Sequence, residues 1–225
     1  MKLKLALAAA ATVMAGPSFG IAVNLSDFHF TPAIDVAVTG NETYTGRAGE
    51  FTGSIGGVPS AARLAPNSVG GASFTAYCAE LTQAVSFGVD SDYTVLTTIA
   101  YFGAQKAADL SRLFTGAAGF VTDQSTSGAM QAAVWEIIYE VGTSYNLSGG
   151  AFRASAVNAV DANSFLGINA ILANLAGFSP AFQLSVLQNA DAQDLITASI
   201  PEPGTWALLA AGLGVIGMVA RRRKA

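Results

Sequence analysis

Charge is scarce in this chain. Asp, Glu, Lys and Arg make up 12% of its 225 residues against 52% apolar, and there is one cysteine and one histidine. A single cysteine excludes an intramolecular disulfide framework. A single histidine excludes the His/Cys clusters that hold zinc and its neighbours. Eleven basic residues within a formal net charge of −4 exclude a basic nucleic-acid binder, and the apolar richness excludes a disordered polar chain. No glycine loop has the pattern that cradles phosphate, and no serine sits in a nucleophile motif. Asp90-Ser91-Asp92 offers two carboxylates where calcium takes about six to eight oxygens, so it reads as a solvated turn. His29 is far along the chain from Cys78, and no orienting or oxyanion motif accompanies the two. No metal, cofactor or enzymatic activity is expected.

What is present begins with the two ends. Lys2 and Lys4 precede an uncharged run from Leu5 to Ala15, followed by small residues at Ser18 and Gly20. This is the order of a secretory signal peptide over residues 1–20, with cleavage expected after Gly20 and Gly16 as the lesser option. At the other end, Pro201-Glu202-Pro203 breaks any helix and leads through Gly204 into an uncharged run that stops at Arg221-Arg222-Arg223-Lys224. Trp206 to Ala220 would span about 22 Å as a helix, short for a hydrocarbon core of about 30 Å, so it leans on Trp206 and on the basic cluster at its two interfaces. Four positive charges hold that end in the cytoplasm and leave the body outside. The order of these three parts over residues 200–225 closely resembles the PEP-CTERM sorting signal of Gram-negative bacteria. That resemblance implies recognition in the inner membrane, processing near Pro-Glu-Pro by an exosortase, and delivery to the cell surface or an extracellular polysaccharide matrix. A permanent single-pass anchor is the alternative.

Residues 21–200 form the body, in which Arg47, Arg63, Lys106, Arg112 and Arg153 face fourteen acids for a balance of −9. Ile34–Val38, Phe74–Leu81 and Tyr93–Ile99 read as strands, and 39–72 as turns between short extended pieces. Ala104–Phe114, Ser127–Val141 and Phe165–Leu175 read as helices, and Phe182–Leu187 and Leu195–Ser199 as closing strands. The expected fold is a single α+β domain of short strands and about three helices. In an exported chain the unpaired Cys78 is buried and inert, joined to another molecule, or consumed in another covalent bond.

The helix from Ser127, which can cap it, carries Met130, Ala133, Val134, Ile137, Ile138 and Val141 at the spacing of a buried stripe, with Glu136 and Glu140 on the far side. Gln131 borders that stripe one turn before Trp135, where its amide needs partners; a hydrogen bond to a neighbouring strand is the ordinary solution. Tyr77-Cys78, followed some 50 residues later by Gln131-Ala132-Ala133-Val134-Trp135, resembles the two motifs of bacterial surface thioester domains. The thioester resemblance implies that Cys78 sulfur condenses with the Gln131 amide, releasing ammonia, and that the stored acyl group is passed to an amine. Tyr77, Glu80 and Trp135 would line that site, with Trp135 shielding it from water. Met130 stands where threonine is common in such domains, and Glu80 puts a charge close to the thiol. Beyond the two motif segments a Tyr-Cys strand, a Trp-Glu-Ile helix and a late Gln193-Asp194 pair resemble a looser pattern of PEP-CTERM proteins over roughly residues 74–196, in which only the Cys and Gln motifs have a chemical reading.

Together these readings describe an exported surface or matrix protein, with the inner membrane and an exosortase-type enzyme as processing partners. The resemblance adds adhesion by covalent capture of an amine-bearing surface or exopolysaccharide. A structural matrix protein with only noncovalent contacts, and a matrix hydrolase, are the alternatives.

Overall fold

The computed structural model describes residues 20–56 and 72–199. The sorting residues Pro201, Glu202, Pro203, Arg221, Arg222 and Arg223, and the expected signal peptide apart from Gly20, lie outside them. Among the described residues no helix is long and apolar enough to cross a membrane.

Nine strands and four α-helices among the described residues give the mixed α+β class. The strands are β1 (Gly20–Phe28), β2 (Ile34–Gly40), β3 (Tyr44–Ala48), β4 (Phe51–Gly56), β5 (Ala72–Cys78), β6 (Asp90–Thr97), β7 (Phe152–Ala156), β8 (Gln183–Gln188) and β9 (Leu195–Ser199). The helices are α1 (Thr98–Phe102), α2 (Ala104–Gly116), α3 (Gln124–Tyr139) and α4 (Ala162–Ala173). Six strands close into a barrel in the order β1-β4-β5-β9-β8-β6, while β3-β2-β7 form a separate sheet. Every pairing is antiparallel.

The expected strands at 34, 74, 93, 182 and 195 are present, but β5 ends at Cys78, so Ala79–Leu81 is not strand. Asp90 and Asp92 fall on β6 and not in a turn. β3 and β4 are short extended pieces within 39–72, while β1, β7 and most of α1 lie outside the expected elements. β1 carries buried Val23 and Leu25 two positions apart, a strand signal. β3 and β4 carry strand-favouring Tyr44, Thr45, Phe51, Thr52 and Ile55, but glycines at 46, 53 and 56 interrupt them, and their ladders to β2, β1 and β5 hold them.

Helix α3 lies at the centre, packed against β2, β3, β5, β7, α2 and α4. It starts earlier than its apolar stripe suggests. Asp123, not Ser127, is the N-cap, and a capping box joins it to Thr126: the Asp123 carboxylate accepts from the Thr126 N–H at 2.8 Å, and the Thr126 hydroxyl accepts from the Asp123 N–H at 3.0 Å. From Ser127 to Ile137 eleven consecutive residues are buried, so the helix has no solvent face over that stretch. Glu136 and Glu140 are therefore not on a far, wetted side: they are 0% and 6% exposed. Val141, placed in the stripe by spacing, falls beyond the helix and is exposed. Packing is close enough that a Cβ on Gly128 would sit 2.3 Å from Ile34 Cγ1 and 3.2 Å from the Ala48 carbonyl oxygen.

The buried polar groups of α3 share one use. Ser127 Oγ accepts from the Glu50 N–H at 2.7 Å and Gln131 Oε1 from the Cys78 N–H at 2.7 Å. Glu136 Oε1 accepts from Asn146 N–H at 2.6 Å and Glu140 Oε2 from Phe152 N–H at 3.1 Å. Each supplies an acceptor to a backbone donor of another segment: those of Glu50, Cys78 and Phe152 at or beside a strand end, and that of Asn146 in the loop before β7.

Candidate functional site

Strand β5 delivers Cys78 and helix α3 delivers Gln131. The β4–β5 ladder stops at Phe51↔Ala76, whereas β5 continues two residues further and pairs on its other side, Cys78↔Leu195, with β9. Beyond the last β4 pair the Gln131 carboxamide takes the place of a strand. Its Oε1 accepts from Cys78 N–H at 2.7 Å and its Nε2 donates to the Cys78 carbonyl at 3.0 Å. Gln131 is 0% exposed and Cys78 is buried, so these two bonds are made away from water, where leaving either group unpaired would cost roughly 1 to 3 kcal/mol. The sequence-predicted pair is thus in direct contact through the amide of one residue and the backbone of the other.

Alternation along β5 separates the other half of the aromatic-Cys motif. Cys78 lines a pocket of about 300 Å³ together with Glu80, Trp135, Phe28, Phe51 and Phe87. Tyr77 lines a different cavity of about 210 Å³ with Glu50, Phe114 and Met130, its ring edge-on to Phe114 at 5.8 Å between centroids. Of the expected lining residues, the structure brings Glu80 and Trp135 to Cys78 and places Tyr77 elsewhere. Trp135 meets Tyr44 edge-on at 5.5 Å and its indole nitrogen, buried, has no hydrogen-bond partner.

Burial, and secondarily the negative charge of Glu80, push the Cys78 thiol well above its usual range. Burial in apolar surroundings thus disfavours the thiolate. Glu80 itself is fixed: Thr82 Oγ1 donates to Oε2 at 2.6 Å and the Asp194 N–H to Oε1 at 3.0 Å.

The late Gln193-Asp194 pair, recognised in the sequence without a chemical role, acquires one here. Gln193 Nε2 donates to the Glu80 carbonyl at 2.8 Å, Ala79 N–H to the Asp194 carbonyl at 2.8 Å, and Tyr93 Oη to the Gln193 carbonyl at 3.0 Å. The Asp194 carboxylate accepts from Tyr101 Oη and from the Asn189 N–H; burial raises its pKa, with both hydrogen bonds opposing. These contacts anchor residues 79–80 immediately after the cysteine. Tyr101 and Tyr93 gave no signal in the sequence, because their hydroxyls find partners across about a hundred residues of chain.

His29 sits apart, its Nδ1 2.5 Å from the Glu50 carboxylate and its ring stacked on Phe30. It is not among the residues lining the Cys78 pocket, and no group of three or more His, Cys, Asp or Glu among the described residues is placed to hold a metal.

Residues 199–224 match the model of the PEP-CTERM protein-sorting motif. The chain matches no curated protein and no solved structure. The motif marks an exported protein, sorted by an exosortase, that passes through a membrane-anchored intermediate. The body's resemblance to thioester domains is not supported by these comparisons.

Proposed function

We propose that the body is a surface adhesion module that captures amines through a thioester between Cys78 and Gln131, and that the sorting tail delivers it to the cell surface or extracellular matrix of a Gram-negative bacterium. The observation that carries this reading is the Gln131 carboxamide held against the Cys78 backbone in the core, beside a pocket that Cys78 and Trp135 line. The thiol attacks the Gln131 acyl carbon, a C–S bond forms, the C–N bond breaks, and the thiol proton leaves with the amide nitrogen as ammonia. An amine from a partner surface or an aminated exopolysaccharide then attacks the same carbon; the C–S bond breaks, sulfur regains a proton, and the partner is left in an amide to Gln131. The transfer happens once per molecule, so the protein is not an enzyme in this reading.

One observation favours a second reading. Both polar atoms of the Gln131 amide are satisfied by Cys78, as in a purely structural amide, and the module would then be a matrix protein with noncovalent contacts and a free buried thiol. Intact mass separates the two. The thioester reading expects a deficit of one ammonia that is abolished in Cys78→Ala, and addition of one methylamine on incubation with that amine. A full mass with no adduct leaves the noncovalent matrix protein.

A further inference from the structure

The cavity of about 210 Å³ that Tyr77 lines is walled by β5 and β9, by α2 and α3, and by the residues just before β4 and β8. Its wall is mostly apolar, with Phe114, Val121, Met130 and Phe182 among its side chains, and Glu50 is the only lining residue that carries a charge. One oxygen of that carboxylate, Oε2, lies 2.5 Å from His29 Nδ1, while Oε1 bonds to no described residue. Tyr77 is 3% exposed, yet its hydroxyl neither bonds to a described residue nor is fully enclosed. A phenol this deep without a partner calls for a reason. Burial first, and the Glu50 charge after it, push the Tyr77 pKa far above its usual range, so the hydroxyl stays neutral and keeps lone pairs that can accept.

We infer that this cavity is a binding site for small organic ammonium ions, with the Glu50 carboxylate and the Tyr77 hydroxyl accepting from the N–H groups and Phe114, Met130 and Phe182 packing on the apolar body. No Lys or Arg lines it, so an anion would meet Glu50 uncompensated, and a neutral ligand would strip water from the carboxylate without replacing its charge partner. A primary ammonium brings one positive charge and three donors to two free acceptors. The volume equals about seven waters at their share of the liquid, room for a body of about six carbons behind the nitrogen. The site lies across β5 from the Cys78 pocket and stands whether or not a thioester forms.

Met130 is the only methionine among the described residues, so its methyl group is a reporter in the cavity wall. The test uses the full chain carrying Cys78→Ala, purified with its tail in detergent and isotope-labelled at the methionine methyls, so that no amine is captured covalently. Cyclohexylammonium is titrated beside cyclohexanol, which has the same shape and no charge. The ammonium should move the Met130 methyl resonance saturably and bind at least about tenfold more tightly than the alcohol. Glu50→Gln should weaken its binding by about ten- to a hundredfold and erase the preference over cyclohexanol, and Tyr77→Phe should weaken it by about three- to tenfold. An unmoved Met130 resonance, equal affinity for cyclohexanol, or unchanged affinity in Glu50→Gln overturns the assignment. Should Glu50→Gln fail to melt cooperatively, Tyr77→Phe and the alcohol comparison decide. Acetyl-lysine methylamide binding as tightly as cyclohexylammonium assigns the site to lysine side chains and weaker binding assigns it to free amines; the cation site stands in both cases. The ammonia deficit is read on the chain that retains Cys78, so either reading can fail without the other.

Discussion

Glu136 shows how much a single side chain can depend on its surroundings. It is fully buried, one carboxylate oxygen accepts from Asn146 N–H, and the other has no partner. Burial first, and the nearby Glu140 charge after it, push its pKa up to about 7, with the Asn146 bond opposing. A carboxyl whose folded pKa is raised favours the fold while protonated, and that contribution fades as pH climbs from the ordinary carboxylate range through 7. Glu136→Gln keeps the acceptor for Asn146 and removes the charge. It should leave urea stability near pH 4.5 unchanged and raise it at pH 8 by an amount on the order of 2 to 3 kcal/mol; equal stability of the two proteins at pH 8 would contradict the assignment. Gln131 makes the complementary case. Gln131→Ala strips partners from both the N–H and the carbonyl of Cys78 and should cost about 2 to 4 kcal/mol in chemical denaturation. A cost below 1 kcal/mol would mean that water replaces the amide.

Among the elements, α3 carries the most consequence, because it is gripped on every side. Its capping box holds the Asp123 carboxyl below its usual range through hydrogen bonds from Thr126. The sign is opposite to that of Glu136: this stabilisation is present above the ordinary carboxylate range and is lost on acidification. Asp123→Ala should destabilise by about 1 kcal/mol at pH 7 and by less at pH 3, as followed by thermal melting. Gly128 sets two effects against each other. Alanine would gain about 1 kcal/mol of helix propensity, but its methyl would collide with Ile34 and crowd the Ala48 carbonyl, and overpacking of a rigid core costs about 1 to 3 kcal/mol. Gly128→Ala should therefore be net destabilising, and adding Ile34→Ala should recover part of the loss; a more stable single variant would show that β2 yields to the helix.

At the scale of the whole molecule, the last strand closes the barrel. β9 pairs with β8 on one side and β5 on the other, and its Leu195 and Ile196 are 0% exposed. The sorting motif begins at residue 199, where β9 ends. A chain ending at residue 200 should melt cooperatively, while one ending at Asp194 should lose its transition, as seen by circular dichroism. A cooperative melt for the shorter chain would mean that β9 is dispensable.

Much of the helical framework was legible in advance. The stripes of α2 and α3 repeat at helical spacing, and the hydrogen bonds of the Gln131 amide to a neighbouring strand are the ordinary solution that its place beside the stripe calls for. The barrel was not legible, because ring closure depends on which strand pairs with which. Glu136 and Glu140 were misplaced for a physical reason: two acids four residues apart on a helix normally face water, and here they face backbone N–H groups brought up by residues 146 and 152. Tyr77 was misplaced because alternation sends it to the opposite side of β5 from Cys78.

The sorting tail, with the export it implies, and the existence of α3 follow from residues adjacent in the chain, since each rests on local order: prolines before an apolar run, apolar residues three and four apart. The environment of the thiol, the burial of two acids and the unpaired indole N–H follow from contacts between segments far apart in the chain. Solvation and hydrogen bonding are set by neighbours in space, and those neighbours exist only once β5, β9 and α3 have packed together.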